Sequence, residues 1–210
     1  MKKLFVVFVA SNYKTGNVIR FITRGKYNHV AIALDDSLHT LYSYARNNYF
    51  EPLNAGYQHE TPSRYLMNGK DTQIKICEYL VDDNHYEHIV NAIGEYSKNQ
   101  SCTLYNFADL LMYPFKVHIP INLTHTCVSF VSKLLEVKQF MSLKQLEKKF
   151  KKGTVYEGSM KEYVGDYSQV EVNYFTRNTY QQRYSIAFQK NMKLCQNVGA
   201  FIFALLLNIE

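Results

Sequence analysis

The sequence has little of the residues that specify fibrous, disordered or disulfide-stabilised chains. Among 210 residues there are no tryptophans, four prolines, nine glycines and four cysteines. So few glycines and prolines exclude a collagen-like or low-complexity chain, and 47% apolar residues exclude a disordered one. The cysteines Cys77, Cys102, Cys127 and Cys195 show no CxxC spacing, which favours a reducing, cytoplasmic location over a secreted disulfide scaffold. We therefore expect one globular domain over residues 1–210.

No apolar run is long enough to cross a bilayer. The longest, residues 198–209, would extend about 18 Å as a helix, against a hydrocarbon core of about 30 Å. We expect this segment to pack on the domain or to lie on a surface. Residues 4–10 follow two lysines, as in a signal peptide, but the run is short and no small-x-small cleavage site follows. A buried first strand is therefore favoured over a signal peptide.

The charge balance gives weak constraints on binding partners. A formal net charge of +6, from 24 basic and 18 acidic residues, permits an anionic partner without requiring one. No helix-turn-helix, RNP-like motif or glycine-rich phosphate loop is present, so nucleic acids and nucleotides are excluded as partners. The lysines of residues 144–152 belong mostly on the solvated face of one amphipathic helix, and a peripheral contact with membrane headgroups stays an alternative. The sequence leaves the oligomeric state open.

Hydrophobic periodicity and turn residues predict an α+β domain. Alternation predicts strands at residues 4–10, 29–34, 38–45, 72–80, 155–163 and 170–175. Helical spacing predicts helices at 17–23, 84–98, 106–112, near 127–136 and at 141–153. Residues 46–70, with two prolines and two glycines, are expected to form a long surface loop, and residues 117–123 a short strand or extended link.

His29 opens the second predicted strand. Alternation places it on one face with Ala31 and Ala33, whose small side chains leave space beside the imidazole. Residues 35–37 form a polar turn into the next strand. If residues 34 and 38 are partners across this hairpin, Ser43 lies opposite His29.

Cys127 lies in the first turn of a predicted buried helix. Apolar residues at 128, 131 and 135 repeat at helical spacing, and Thr124 or Thr126 caps the start. The free N–H groups and the positive dipole end of a helix favour the thiolate form of such a cysteine. Cys127 is therefore a candidate nucleophile, and the alternative is a small buried apolar side chain.

His29 lies in the motif VIRFITRGKYNHVAIAL, and Cys127 lies in the motif HTCVSFVSKLLE. Both motifs resemble segments of the circularly permuted papain-like enzymes, the YiiX- and YaeF-like branch of the NlpC superfamily. VIRFITRGKYNHVAIAL, residues 18–34, resembles the segment that leads through a basic turn into the family's catalytic-histidine strand. HTCVSFVSKLLE, residues 125–136, resembles its nucleophile helix. The histidine motif precedes the cysteine motif, which is the permuted order. LYSYAR and VYEGSMKEY are similar to elements of members from Gram-positive bacteria, so the resemblance extends over residues 4–165.

This resemblance implies a permuted papain-like fold, in which an antiparallel sheet packs against helices. It makes Cys127 the nucleophile and His29 the general base, with no cofactor. The third residue, which orients the imidazole, is expected on the strand after the histidine strand, where the hairpin register places Ser43. A hydroxyl stabilises imidazolium less than a carboxylate does, so Glu60 in the following loop is an alternative, and Tyr42 a weaker one.

The implied activity is thiol hydrolysis of an amide or ester through an acyl-enzyme. Peptide-like substrates, including cell-wall and isopeptide amides, and lipid-like esters both fit this chemistry. One alternative is thiol acyl transfer or lipid deacylation, as in the lecithin–retinol acyltransferase-like branch. Another is a catalytically inactive member that only binds such ligands.

The remaining histidines indicate no metal site. His85 and His88 are three residues apart near Asp82 and Asp83, but no second ligand pair follows at metal-site spacing. A solvated helix end is the preferred interpretation, and no metal is expected. His125, two residues before the nucleophile, is expected to cap the helix or to be exposed.

Overall fold

The computed structural model describes residues 1–11, 13, 20, 25–51, 54–66, 71–112, 121, 124–137, 141–165, 167, 170–182, 184–186, 188–190, 192 and 196. The predicted helix at 17–23, the link at 117–123 and the apolar segment 198–209 lie outside these residues, apart from residues 20 and 121.

In the described residues, four strands come first along the chain, and helices and strands are mixed after them. The strands are β1 (Lys2–Ala10), β2 (His29–Ala33), β3 (Leu41–Arg46), β4 (Ala55–Glu60), β5 (Gln73–Val81), β6 (Leu104–Tyr105), β7 (Thr124–His125) and β8 (Thr154–Ser159). The α-helices are α1 (Ser63–Leu66), α2 (Asp83–Lys98), α3 (Phe107–Met112), α4 (Cys127–Leu134), α5 (Leu143–Phe150), α6 (Met160–Val164) and α7 (Val172–Phe175). Short 3-10 turns occur at Gln100–Cys102 and Lys151–Gly153. Residues 180–182, 184–186, 188–190 and 192, here called the C-terminal helical residues, are also helical.

Six strands form one antiparallel sheet in the order β4-β3-β2-β1-β5-β8. The long strand β1 lies inside it, paired along its whole length with β5 and along five residues with β2. A separate parallel ladder of two residues joins β6 to β7. The predicted α+β class with an antiparallel sheet and packed helices is therefore confirmed.

The sheet separates two apolar clusters, because successive side chains of a strand point to opposite faces. From β1, Leu4, Val6 and Phe8 face the cluster that includes α2, α4 and α5. Phe5, Val7 and Val9 face the second cluster, which includes residues of α1 and α6. β1 is therefore buried on both faces, which explains its continuous apolar sequence.

Two predicted helix starts are confirmed by their caps. The Thr126 side chain accepts the backbone N–H of Ser129, and the Ser129 hydroxyl accepts that of Thr126 in return. Ser142 and Gln145 form the same reciprocal pair at the start of α5. Capping boxes of this kind satisfy N–H groups that have no partner inside the helix.

The predicted long loop at residues 46–70 is wrong, because it contains β4 and α1. The face of β4 that packs with the second cluster carries the buried polar residues Gln58 and Glu60. Apolar alternation therefore gives no signal for this strand.

Two late strand predictions also need correction. The strand predicted at 155–163 ends at Ser159, whose side chain accepts the backbone N–H of Glu162 and so begins helix α6. The strand predicted at 170–175 is wrong, since residues Val172–Phe175 form helix α7. Among the described residues, none of the helices has the length and apolarity needed to cross a membrane.

Candidate active site

Cys127 is placed by the ladder and the cap that precede it. β7 pairs with β6, so that His125 lies beside Tyr105, and Thr126 then caps α4. Cys127 is the first residue of the helix, where its own N–H has no intrahelical acceptor. Its side chain is buried, with 6% of the residue exposed. A thiol at this position experiences the positive end of the helix dipole.

His29 reaches this thiol because both residues lie at the ends of their elements. His29 is the first residue of β2 and pairs with Val9, whose side chain belongs to the second cluster. Tyr65 of α1 lies beside the imidazole on that face, with ring centroids 6.2 Å apart. Helix α4 packs on the opposite face, and its first residue, Cys127, meets the imidazole at the end of the strand. The two side chains are close enough for each to shift the pKa of the other by charge and hydrogen bonding. The structure therefore brings Cys127 and His29 together, and their catalytic roles stay a prediction.

Three groups around the sulfur favour its thiolate form. Burial raises the pKa of the Cys127 thiol, but hydrogen bonding to His29 and the charge of His29 lower it. The backbone N–H of Val30 and the hydroxyl of Tyr105 lower it further. Tyr105 Oη lies 4.0 Å from Cys127 Sγ. The net effect is a pKa below the ordinary value of 9.0.

The pairing of β2 with β3 differs from the predicted hairpin. In the described residues these strands pair at Ile32 and Tyr42 alone. This register differs by two residues from the predicted one, and in it Ser43 lies beside Ala31. A shift of two keeps Ser43 on the same face of the sheet.

Glu60 occupies the position predicted for Ser43. His29 Nε2 lies 2.8 Å from Glu60 Oε1. Ser43 Oγ donates a short hydrogen bond to the same carboxylate oxygen, one step away from the imidazole. The contact with the imidazole therefore belongs to Glu60, which was the alternative expected from the sequence. The physical reason for this correction is that β4, unexpected from the sequence, pairs with β3 and places Glu60 opposite Leu41.

The Glu60 carboxylate has partners at both oxygens. Oε1 accepts from His29 and Ser43, and Oε2 accepts a short hydrogen bond from the Tyr65 hydroxyl. Arg64 Nη1 lies 3.9 Å from Oε2. Only 2% of Glu60 is exposed, and a buried carboxylate is stable only when it is paired in this way.

The pKa values of His29 and Glu60 are shifted in opposite directions. Burial lowers the pKa of His29, but the Glu60 charge and hydrogen bonding to Cys127 outweigh it and raise the pKa to about 10. Burial raises the pKa of Glu60, but the charge and hydrogen bond of His29, with Arg64 and Ser43, lower it to about 2. At neutral pH the pair is therefore imidazolium and carboxylate.

Arg64 connects Glu60 to a distant segment of the chain. Its Nε donates a short hydrogen bond to Glu171, just before α7, and its guanidinium carbon lies 4.3 Å from the centre of the Tyr174 ring. The other guanidinium nitrogens donate to Gln58 Oε1 at 3.1 Å and to the carbonyl of Arg46 at 2.9 Å. Arg64 is 5% exposed, so these contacts hold a buried cation. Sequence reasoning missed Arg64, Tyr65 and Glu171, because two of them lie in the region predicted as a loop and Glu171 in a region predicted as strand.

The other candidates lie away from the imidazole. Tyr42 pairs with Ile32 and packs on the cluster of α2 and α4, on the opposite face from Glu60. His125 Nε2 lies 3.0 Å from the Tyr96 hydroxyl. His85 Nε2 hydrogen-bonds to the carbonyl of Leu134 at 3.1 Å and so gives a carbonyl at the end of α4 a partner.

Among the described residues, we identify no second thiol site and no metal site. Burial raises the pKa of Cys77, and Cys102 is half-buried in a 3-10 turn. Within the described part of the chain, no group of three or more histidine, cysteine, aspartate or glutamate side chains is arranged to hold a metal ion.

Comparison with known proteins gives no relative. No protein-family model, no curated protein and no solved structure matches the chain. The assignment of a function therefore depends on the geometry of the site.

Proposed function

We propose that the protein is a thiol hydrolase that cleaves an amide or ester bond, with Cys127 as nucleophile, His29 as acid and base, and Glu60 as the residue that orients the imidazole. The observation that supports this most strongly is the continuous contact from Cys127 through His29 to Glu60, all three of them buried or nearly so. The packing of an apolar core does not explain why a thiol, an imidazole and a carboxylate contact one another, because burying such groups costs free energy. The three residues can therefore act as nucleophile, base and the residue that orients the base.

The two ring nitrogens of His29 have different partners in this proposal. Nε2 is held by Glu60, so Nδ1 serves the thiol. In acylation, Cys127 Sγ attacks the carbonyl carbon, a C–S bond forms, and the bond to the leaving nitrogen or oxygen breaks as His29 Nδ1 protonates it. In deacylation, neutral His29 takes a proton from water, whose oxygen attacks the thioester carbon. The C–S bond breaks, the acid leaves, and thiolate and imidazolium are restored.

We assign the oxyanion donors to the Cys127 backbone N–H and the Tyr105 hydroxyl. The N–H has no acceptor inside helix α4, because Cys127 is the first helical residue, and it contacts the Tyr105 hydroxyl instead. The hydroxyl lies 4.0 Å from the sulfur, on the residue that β6 places beside β7. A donor fixed close to the nucleophile before reaction stabilises the charge that develops on the carbonyl oxygen.

We also propose the permuted papain-like fold. Its support is the order of the site residues along the chain, with His29 on an early strand of the antiparallel sheet and Cys127 at the start of a later helix. The sequence motifs around both residues are similar to those of that family. A carboxylate beside the imidazole also supports an active enzyme over the alternative of an inactive binding member, because it stabilises imidazolium better than the Ser43 hydroxyl would.

The test uses a fluorogenic panel of peptide amides, isopeptide amides and acyl esters, with hydrolysis and transfer to added amines measured together. Cys127→Ala and His29→Ala should abolish turnover of whichever substrate the wild type cleaves, without unfolding the protein. Ser43→Ala should only weaken turnover, since it touches Glu60 and not the ring. Tyr42→Phe, on the opposite face, is the matched control and should retain full activity. Turnover that survives Cys127→Ala contradicts the proposal.

A further inference from the structure

Strand β4 lies at one edge of the six-stranded sheet and pairs with β3 along its inner side. Successive residues of an antiparallel strand direct their main-chain groups to alternate sides. The backbone N–H of Tyr57 donates to Thr103 Oγ1 at 2.9 Å, and the carbonyl of Ala55 accepts from Lys190 Nζ at 3.1 Å. Thr103 and Lys190 lie outside β3. Residues 55, 57 and 59 therefore direct their N–H and C=O groups to the outer edge of β4.

The first half of this outer edge is covered and the second half is open. At Gly56 the chain between the 3-10 turn and β6 approaches so closely that a Cβ would lie 2.7 Å from the carbonyl oxygen of Thr103. The carbonyl of Tyr57 accepts from the side chain of Gln58 at 2.7 Å. Among the hydrogen bonds of the described residues, none uses the main-chain N–H or C=O of His59. His59 thus offers one donor and one acceptor to a further strand.

A cavity of about 680 Å³, here called the edge cavity, opens beside this part of β4. Its lining combines His59 with Gln100 and Ser101 of the 3-10 turn and with residues 170–174 around α7. The volume lies within the range of small-ligand pockets, roughly 300–1,000 Å³. The edge cavity therefore has space for a short segment of chain next to the main-chain groups of His59.

The lining favours an uncharged ligand that forms hydrogen bonds. Its two oppositely charged side chains, Arg64 and Glu171, form an ion pair with each other. Burial and the charge of Arg64 lower the pKa of His59, so its ring is neutral at neutral pH. Val170 and Val172 add apolar side chains that are 62% and 68% exposed. A peptide main chain has this chemistry, whereas a phosphate or a nucleic acid would lack a free cation in the lining.

We infer that the edge cavity binds an extended peptide, which adds to β4 as a further strand by pairing with the main chain of His59. In this mode of recognition the main-chain hydrogen bonds give affinity, and alternate side chains of the peptide contact the lining. Apolar side chains of the peptide pack on Val170 and Val172. A second copy of β4 is a poorer occupant, because its whole sheet would have to pass the 3-10 turn and residues 170–174. This inference is independent of the proposed hydrolase activity.

The first experiment measures pairing at His59 itself. The probe is the capped pentapeptide acetyl-Thr-Val-Thr-Val-Thr-amide, and the full chain carries Cys127→Ala so that no cleavage interferes. With saturating peptide, the amide resonance of His59 should shift, and exchange of its proton with solvent should slow by at least roughly tenfold. The same peptide methylated at every main-chain nitrogen cannot donate to the strand and should produce neither effect.

A pair of variants at His59 separates the main chain from the side chain. His59→Pro removes the outward N–H, and proline is tolerated in an edge strand where this group faces away from the ladder. His59→Ala is the matched control, because it removes the ring and keeps the N–H. Calorimetry should show that His59→Pro binds the peptide roughly tenfold more weakly, as expected for one lost hydrogen bond, and that His59→Ala binds as the parent does.

A second pair of variants fills the cavity without changing β4. Ser101→Trp places a large ring in the edge cavity and should abolish peptide binding. Lys98→Trp places the same ring on an exposed position of α2, outside the lining, and should leave binding unchanged. Absence of peptide binding by the parent, equal binding of the methylated peptide, or unchanged binding by Ser101→Trp would overturn the inference. A dimer in the absence of peptide that His59→Pro dissociates would also overturn it, because a second copy would then occupy the edge.

Discussion

Arg64, which is buried, and Glu171, which is half-buried, form an ion pair between two segments 107 residues apart in the chain. Because Arg64 also lies 3.9 Å from Glu60, this pair lies directly behind the carboxylate that holds His29. The segment around Glu171 is held in turn by its own backbone N–H, which donates to Ser63 Oγ. The electrostatics of the candidate site therefore depend on a residue close to α7, well outside the motifs around His29 and Cys127.

Replacement of Arg64 should destabilise the whole protein. Arg64→Met keeps most of the volume but leaves the buried carboxylate of Glu60 and that of Glu171 without their shared cation. We expect the free energy of unfolding to fall by about 3–5 kcal/mol, as when one partner of a buried ion pair is removed. Urea denaturation measures it. Lys98→Met removes an exposed partner of Glu95 and serves as control; it should leave the midpoint unchanged. Equal midpoints for both variants would show that the Arg64 contacts contribute nothing.

The parts of the site that the sequence predicted are those with a local pattern. The continuous apolar run of β1, the alternation after His29 and the cap before Cys127 each depend on neighbouring residues, and each was predicted at its place. The third residue depends on strand pairing. A hairpin register off by two gave Ser43, and the strand that carries Glu60 has buried polar residues where the pattern requires apolar ones. Glu171 depends on a contact between distant segments, which no local pattern specifies.

Loss of the Glu60 charge should lower the pKa of His29 while the protein stays folded. Glu60→Gln keeps the length of the side chain and an acceptor for the ring N–H, but removes the charge that raises the pKa of His29. We expect that pKa to fall well below its wild-type value of about 10, and turnover to drop by roughly 10²- to 10⁴-fold. NMR titration of the imidazole measures the first effect. An unchanged imidazole pKa would exclude Glu60 as the source of the shift.

The same pair gives the protein a defined pH dependence of stability. The pKa of His29 is raised from 6.5 to about 10, so its contribution is complete below pH 6.5 and is lost as the pH rises through about 10. The pKa of Glu60 is lowered from 4.5 to about 2, so its contribution is complete above pH 4.5 and is lost as the pH falls through about 2. In a Cys127→Ala background, which removes thiol titration, unfolding free energy should fall from pH 6.5 up to the pKa of His29 in that variant, which loss of the Cys127 contact lowers from about 10. Adding Glu60→Gln should flatten that fall, and an equally steep fall would contradict the pairing.

Alkylation should distinguish the cysteines by their pKa rather than by exposure. Cys127 is buried but has a lowered pKa, whereas burial raises the pKa of Cys77, and Cys102 is more exposed than either. Near neutral pH we expect iodoacetamide to modify Cys127 first, because the thiolate is the reactive species. Peptide mass spectrometry follows each site over time. His29→Ala should slow modification of Cys127 and leave that of Cys102 unchanged; faster reaction at Cys102 in the wild type would disprove thiolate activation at Cys127.

Removal of the Tyr105 hydroxyl distinguishes two roles of this group. It can bind the oxyanion in the transition state, or it can only stabilise the thiolate. Tyr105→Phe keeps the ring on β6 but deletes the donor that lies 4.0 Å from Cys127 Sγ. If this hydroxyl binds the oxyanion, kcat should fall by roughly 10²-fold while KM changes little, because the contact forms only as charge develops on the carbonyl oxygen. The pKa of the thiol should rise as well, since the hydroxyl lowers it in the wild type. Single-turnover acylation by an activated ester, measured across pH, gives both quantities from one experiment. A shifted pKa with an unchanged limiting rate at high pH would restrict Tyr105 to stabilising the thiolate and would exclude it from the oxyanion site.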